Sequence, residues 1–170
     1  MPDLLTLEDA KDALRLKDDD STRDDILDVF IQGVTSIVEE RVGWVTERTE
    51  TVDVRSCGTS IVLPGMNILS LTSGASISDD SVVDVSGFYV DASGILRSKD
   101  GGYLPSSPWR LTMVVGMDPI PEAIRRAAAE ILIQGWATQR QKPGDTPAAF
   151  LVPNRAAAWL SGFERPPRVA

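Results

Sequence analysis

From Trp109 to Gly135 the chain reads WRLTMVVGMDPIPEAIRRAAAEILIQG, and this stretch changes from a strand pattern to a helix pattern. The first seven residues predict a β-strand that Gly116 ends. Pro121 suits the first position of a helix, because the N–H that proline lacks would have no helical partner there. Small side chains on the predicted helix favour close approach by another helix. Its apolar face consists of Ile124, Ala127, Ala128, Ile131, Leu132 and Gly135.

The residues before this stretch, about 45–116, predict a small antiparallel β region. Residues 49–55 alternate between polar and apolar side chains with a period of two, which is typical of a strand. Residues 88–97 read FYVDASGILR and predict a β-hairpin with its turn at Ala-Ser-Gly. Two polar stretches, 78–87 and 98–108, are predicted to be long loops.

The N-terminal quarter predicts two helices, at 7–16 and 21–43. Thr6 is placed to cap the first helix, and the acidic run Asp18–Asp20 separates the two. Gly43 is a plausible end for the second helix. One wide apolar stripe runs along that helix and consists of Leu27, Phe30, Ile31, Val34, Ile37, Val38 and Val42.

The order of these elements predicts an α+β fold with a helical core and an inserted antiparallel β region. A third long helix is expected at 121–140, and a short one at 154–161. Because a polar linker precedes the short helix, the sequence predicts a main domain at 1–142 and a C-terminal arm at 143–170.

The composition narrows the possible functions. The 170 residues include 25 acidic and 17 basic side chains, for a net charge of −8. This balance disfavours sequence-independent nucleic-acid binding, which needs clustered cations. The absence of histidine excludes catalytic triads and zinc sites that use imidazole. We found no phosphate-binding loop, nucleophile elbow or paired-cysteine motif, and we expect no catalytic residue, cofactor or bound metal.

Localisation can also be predicted from the composition. A single cysteine, Cys57, suits assembly in a reducing cytoplasm. No apolar run approaches the roughly 20 residues that span a bilayer, and the first residues do not resemble a signal peptide. We therefore expect no membrane association.

Charge is distributed unevenly along the chain. Residues 1–40 contain twelve acidic and four basic side chains, whereas residues 120–170 contain four acidic and seven basic ones. Such opposite ends suit head-to-tail packing or docking on differently charged partners. An ordinary solvated helix face explains the acidic end equally well.

Taken in order, several segments resemble the head-tail connector proteins of long-tailed double-stranded DNA phages, also called adaptors or head completion proteins. The resemblance spans about residues 4–140, although Val114 and Val115 stand near a position where the family often has an aromatic residue. The matching segments are Leu5–Lys11, Glu39–Gly43, Ile61–Pro64, Phe88–Asp91 with Gly94–Leu96, Leu111–Gly116 with Ile120–Ile124, and Leu132–Trp136.

The resemblance implies a structural protein of the virion neck that is assembled in the host cytoplasm. Connector proteins form a ring, typically of twelve subunits, under the portal protein. The ring extends the DNA channel and provides the docking platform for a stopper, a tail-completion protein or the tail. Packaged DNA would pass through without sequence-specific binding, and an acidic channel wall would repel it.

Two sets of residues are predicted to make these contacts. The basic, tryptophan-containing C-terminal segment is expected to dock on the portal through Arg155, Trp159, Leu160, Phe163, Arg165 and Arg168. The loops of the β region are expected to face the channel or the next ring through Asp79, Asp80, Lys99 and Asp100.

Two other functions stay open at this stage. One is another neck or tail ring, such as a stopper or a tail terminator. The other is a metal-dependent hydrolase that uses the acidic run Asp18–Asp20 with Asp24 and Asp25, although helix capping and a solvated turn explain this run better. Trp136 is expected to lie in the core.

Overall fold

The structure is a computed structural model that describes residues 3–17, 21–55, 58–65, 67–106, 108–139 and 151–164. It confirms the α+β class, and the chain forms two compact units. The helical unit comprises Met1–Gly43 and Pro119–Ala170, and the β unit, Trp44–Asp118, is inserted between these two parts.

The helical unit contains α1 (Leu7–Leu14), α2 (Asp24–Val42), α3 (Glu122–Gln139) and α4 (Asn154–Leu160). Each of these helices was predicted, with ends that differ by at most three residues. As expected, Thr6 caps α1: its hydroxyl accepts a hydrogen bond from the Asp9 N–H at 3.0 Å, and the Asp9 carboxylate accepts one from the Thr6 N–H at 3.0 Å. This reciprocal arrangement satisfies two N–H groups that would otherwise lack partners at the helix start.

The apolar stripe of α2 and the small-residue face of α3 form the centre of the helical unit. Both predicted faces are buried except for Ile37, which is half-buried, and α2 packs on α3. Ala127 and Ala128 are completely buried, so their small side chains allow the close approach that the sequence indicated. Lys11 of α1 is buried as well, with its ammonium group 2.8 Å from the Asp24 carboxylate at the start of α2.

Helix α4 packs against α3 instead of extending away as an arm. Ala156 and Leu160 are completely buried in the helical unit. A seven-residue helix is too short to be stable alone in water, so these contacts must hold α4 in place. Described residues 151–164 therefore belong to the helical unit. The predicted boundary near residue 142 lies outside the described residues.

The β unit contains seven described strands in two antiparallel sheets. They are β1 (Arg48–Val54), β2 (Ser60–Val62), β3 (Ile68–Ser76), β4 (Val82–Val83), β5 (Phe88–Val90), β6 (Ile95–Ser98) and β7 (Trp109–Val115). The first sheet has the order β1-β7-β3-β4 and the second has the order β2-β6-β5. The predicted hairpin is the β5–β6 pair.

Alternate residues of β7 build the core of the β unit. The side chains of Trp109, Leu111, Met113 and Val115 are completely buried, whereas the residues between them are not. This period of two is the pattern expected of a strand with one face on a core.

The two ends of the β unit lie side by side. The Met117 N–H donates to the Val45 carbonyl at 2.9 Å, and the β1–β7 ladder continues from there with Arg48 opposite Val115. Asn67 tightens this junction, because its side-chain amide donates to the Trp44 carbonyl at 2.8 Å. None of the helices within the described residues is long and apolar enough to cross a membrane.

Candidate functional site

The outer face of α4 carries the first part of the predicted docking set. The Arg155 guanidinium lies over the Trp159 ring, 4.8 Å from its centroid. Trp159 is half-buried, Arg155 is exposed, and the nearby Leu151 is 72% exposed. A cation over an indole face is attractive, and the stack presents a flat basic and aromatic surface. We call Arg155 and Trp159 the α4 face.

The remaining residues of that set are placed differently. Leu160 is completely buried, so its side chain offers no exposed surface for docking. Phe163 is half-buried, and the adjacent Glu164 carboxylate pairs with Arg41 of α2 at 3.2 Å. Arg165 and Arg168 lie outside the described residues. Portal docking by this set therefore stays a prediction.

The predicted loop residues lie in two separate turns of the β unit, and all are exposed. Asp79 and Asp80 form the tip between β3 and β4, where Asp80 has a left-handed backbone with φ of 53°. Lys99 and Asp100 follow β6, and the Lys99 ammonium donates to the Ser86 carbonyl at 2.7 Å. These four residues therefore do not form a single site, and their role at a channel or next ring stays a prediction.

Aspartates stabilise four turns of the β unit, a feature that the sequence analysis missed. The Asp84 carboxylate accepts from the Ser86 N–H at 2.9 Å, and the Asp91 carboxylate accepts from the Ser93 and Ile95 N–H groups at 2.9 and 3.0 Å. Asp79 accepts from Ser81 in the same way. The sequence does contain a signal for these turns, because Asp-x-Ser occurs at 79–81, 84–86 and 91–93. An aspartate side chain commonly accepts a hydrogen bond from the backbone N–H two residues further along.

These hydrogen bonds lower the pKa of each turn aspartate below its ordinary value of 3.8. The Ile95 N–H is the main cause at Asp91, and the Ser86 hydroxyl is the main cause at Asp84. The hydroxyls of Ser76 and Ser81 lower the pKa of Asp79, and the Ser98 hydroxyl and the Gly102 N–H lower that of Asp100. In each case the ionised form is the better acceptor.

Acid should therefore destabilise the β unit. A carboxylate whose pKa is lowered on folding stabilises the protein above its unfolded value, near 3.8, and this contribution is lost as the pH falls through the folded value. We expect the thermal midpoint to fall between about pH 4 and pH 2. In a variant with Asn at positions 79, 84, 91 and 100 the side chains still accept hydrogen bonds but do not titrate. The thermal midpoint of this variant should therefore fall less. Circular dichroism melts of both proteins at several pH values measure this, and parallel curves would contradict it.

A cleft of about 640 Å³ lies beside one of these turns. Its walls are the first half of β3, residues 84–86, residues 88–90 and Lys99. The cleft forms here because β4 pairs with β3 only at Gly74 and Ala75, which leaves the preceding part of β3 uncovered on that side. Of the predicted loop residues, Lys99 lines this cleft.

The acidic run proposed as a metal site falls mostly outside the described residues. Asp18–Asp20 are not described, and Asp24 forms the ion pair with Lys11. Within the described residues no group of three or more potential metal-ligating His, Cys, Asp or Glu side chains occurs.

An exposed apolar face on the helical unit was also missed. Phe30 of α2 and Trp136 of α3 meet edge to face with ring centroids 5.3 Å apart. Trp136 is half-buried, at the margin of the core. Next to this pair, Ile26 is 52%, Val29 62% and Ile133 40% exposed. Ile26 and Val29, which lie outside the predicted stripe, together with Ile37 from that stripe, were visible in the sequence as its signal because they stand at helical spacing.

No protein family and no curated protein matches the sequence. Solved structures of gene transfer agent (GTA) particles do match the fold. A chain from the neck of the empty GTA particle, computed with C6 symmetry, has a TM-score of 0.75 and 17% identity over 98% of this chain and 92% of that chain. A chain from the neck of the native particle, computed with C12 symmetry, has a TM-score of 0.70 and 14% identity over 96% of this chain and 90% of that one.

A chain from the virion of the native GTA particle has a TM-score of 0.72 and 16% identity, over 98% of this chain and 92% of that chain. The matched regions include both the helical unit and the inserted β unit, because they cover nearly the whole chain. The predicted resemblance to head-tail connector proteins is thus confirmed for the fold: over almost its entire length, this chain has the fold of chains from the neck and virion of gene transfer agent particles.

Proposed function

We propose that the chain is a structural neck protein of a phage-like particle, and specifically the head-to-tail adaptor that forms a ring under the portal. The observation that carries this proposal is the match over 96% of the chain to a neck chain in a particle computed with C12 symmetry. A ring of twelve copies would extend the DNA channel and provide the platform for a stopper or the tail. The protein would act by assembly and not by catalysis.

The physical properties of the chain support this role. A closed ring needs two different faces on each subunit, because one face of a copy meets another face of its neighbour. The helical unit has an exposed apolar face around Phe30 and Trp136 and a basic, aromatic face on α4. The net charge of −8 suits a surface along which DNA slides. Asp79, Asp80 and Asp100 would face the lumen or the next ring, with Lys99 beside them.

We assign portal contact to the end of the chain. Phe163 is half-buried and fixes the start of this segment next to α4. Arg165 and Arg168 follow it and would pair with acidic side chains of the portal, where charge complementarity speeds association.

Truncation after Glu164 tests this assignment. The shortened protein keeps all of α4 and the Arg41–Glu164 ion pair, so its thermal midpoint should not change. We expect it to lose binding to the portal ring of the same particle, measured by native mass spectrometry. The matched control is Arg23→Ala, which removes a basic side chain from the helical unit outside the tail and should leave binding intact.

The same experiment separates the adaptor from another neck ring. Binding of about one full-length copy per portal subunit would support the adaptor. Binding to isolated tails with no affinity for the portal would contradict it and favour a stopper or terminator. Unchanged portal binding after truncation would contradict only the role of Arg165 and Arg168.

A further inference from the structure

An apolar stripe on α2 lacks a covering element in the described part of the chain. Ile26 and Val29 are 52% and 62% exposed, and Ile37, two turns further along, is half-buried. The spacing of Ile26, Val29 and Ile37 puts these residues on one side of the helix, next to the side that carries Phe30. Gly33 lies between them on this side and adds no side chain. Exposed apolar side chains grouped on one face are typical of a protein interface.

Acidic side chains stand at both ends of this stripe. Asp25 precedes it and is one helical turn from Val29, and Glu40 follows Ile37 on the same side of the helix. Both carboxylates are exposed, and neither has an ion-pair partner among the described residues. We call Asp25, Ile26, Val29, Ile37 and Glu40 the α2 face.

The α4 face has the complementary properties. Arg155 has its Trp159 contact but no carboxylate partner in the described ranges. Trp159 adds a half-buried aromatic surface. Aromatic residues and arginine are the side chains most enriched at the centres of protein interfaces.

We infer that the α2 face of one copy binds the α4 face of the next copy. This inference rests on the proposed function, since it names the contact that would hold the ring together. Apolar side chains on both faces would exclude water, and Arg155 would pair with an acidic end of the α2 stripe. The two faces lie on different helices of the same unit, as a head-to-tail contact requires.

A second copy fits the α2 face better than DNA does. DNA is repelled by the carboxylates at both ends of the stripe. A second copy brings the α4 face at the same concentration as the α2 face, with opposite charge and with apolar side chains to match.

Disulfide trapping between single-cysteine variants tests the pairing. In a Cys57→Ser background, Val29→Cys and Ala158→Cys place one thiol on each face, since Ala158 is exposed on α4. We expect a mixed disulfide dimer when the two proteins are combined at high concentration and oxidised. Asp28→Cys is the matched control, because Asp28 is exposed on α2 and lies on the opposite side of the helix from the stripe. A yield no greater than that of this control would overturn the inference.

Charge reversal adds a second readout. Arg155→Glu in the Ala158→Cys protein should lower the yield about tenfold, because like charges then face each other. Asp25→Lys and Glu40→Lys in the Val29→Cys protein should restore it. A yield that these reversals leave unchanged would overturn the charge pairing. If the protein binds the portal but no disulfide is trapped, the inferred contact is wrong and the adaptor function still stands. If the disulfide is trapped but the portal is not bound, the contact is supported and the adaptor function is contradicted.

Discussion

Gly116→Ala is expected to destabilise the β unit by roughly 3 kcal/mol, which corresponds to a fall in Tm of about 10 °C. Gly116 has φ of 135°, a region that side chains other than glycine rarely adopt. A Cβ added there would lie 2.7 Å from the Glu47 Cα and 2.9 Å from the Thr46 carbonyl carbon. Both neighbours are backbone atoms, so no side-chain rotation relieves the clash. Thermal unfolding followed by circular dichroism measures the effect.

The matched control is Gly87→Ala. A Cβ at Gly87 would meet no atom within 4 Å, and its φ is not positive. The unfolded chain loses the same freedom in both variants, so the difference between them reports the clash and the strain alone. Equal Tm values for the two variants would show that the Glu47 backbone can move aside.

The second large effect is expected for Leu160→Ala, at about 3 kcal/mol. The Leu160 side chain is completely buried, so truncation leaves a cavity and removes the main apolar contact of α4. Because α4 has only seven residues, it should detach once this contact is lost. Hydrogen exchange at residues 154–160 should then lose its protection, and proteases should cleave within this segment.

Leu151→Ala provides the comparison for that change. Leu151 is 72% exposed, so the same chemical truncation should leave Tm and hydrogen exchange nearly unchanged. A Leu160→Ala protein that keeps protection in α4 would show that other contacts hold this helix. The same burial means that a loss of portal binding in Leu160→Ala would report the detachment of α4 and not a direct contact.

Local spacing made much of the fold predictable. The α2 stripe that begins at Leu27, the Thr6 cap and the hairpin at 88–97 depend on residues a few positions apart. Each was confirmed, except that Ile37 of the stripe is only half-buried. The inserted β region was also predicted, because the period changes on both sides of it. The ordered segments even indicated the fold of neck chains, which the solved structures bear out.

Contacts between distant residues were not predictable in the same way. The pairing of β1 with β7 joins Arg48 to Val115, and nothing in either strand alone names the other as its partner. Leu160 is buried because α4 packs on α3. The residues around Leu160 give no sign of this distant contact, so the sequence predicted an arm at 143–170. The strand Val82–Val83 was read as loop, since two residues carry no measurable period.

The close ends of the β unit affect how the helical unit reaches its folded state. About 75 residues separate α2 from α3, and closing a loop of that length costs roughly 2 kcal/mol more than closing one of about five residues. Once the Val45–Met117 hydrogen bond and the β1–β7 ladder have formed, the two helices are joined by only a few residues on each side. A folded insert thus removes most of the loop-closure entropy that would otherwise oppose the pairing of α2 with α3. The long insertion then does little to slow the folding of the helical unit.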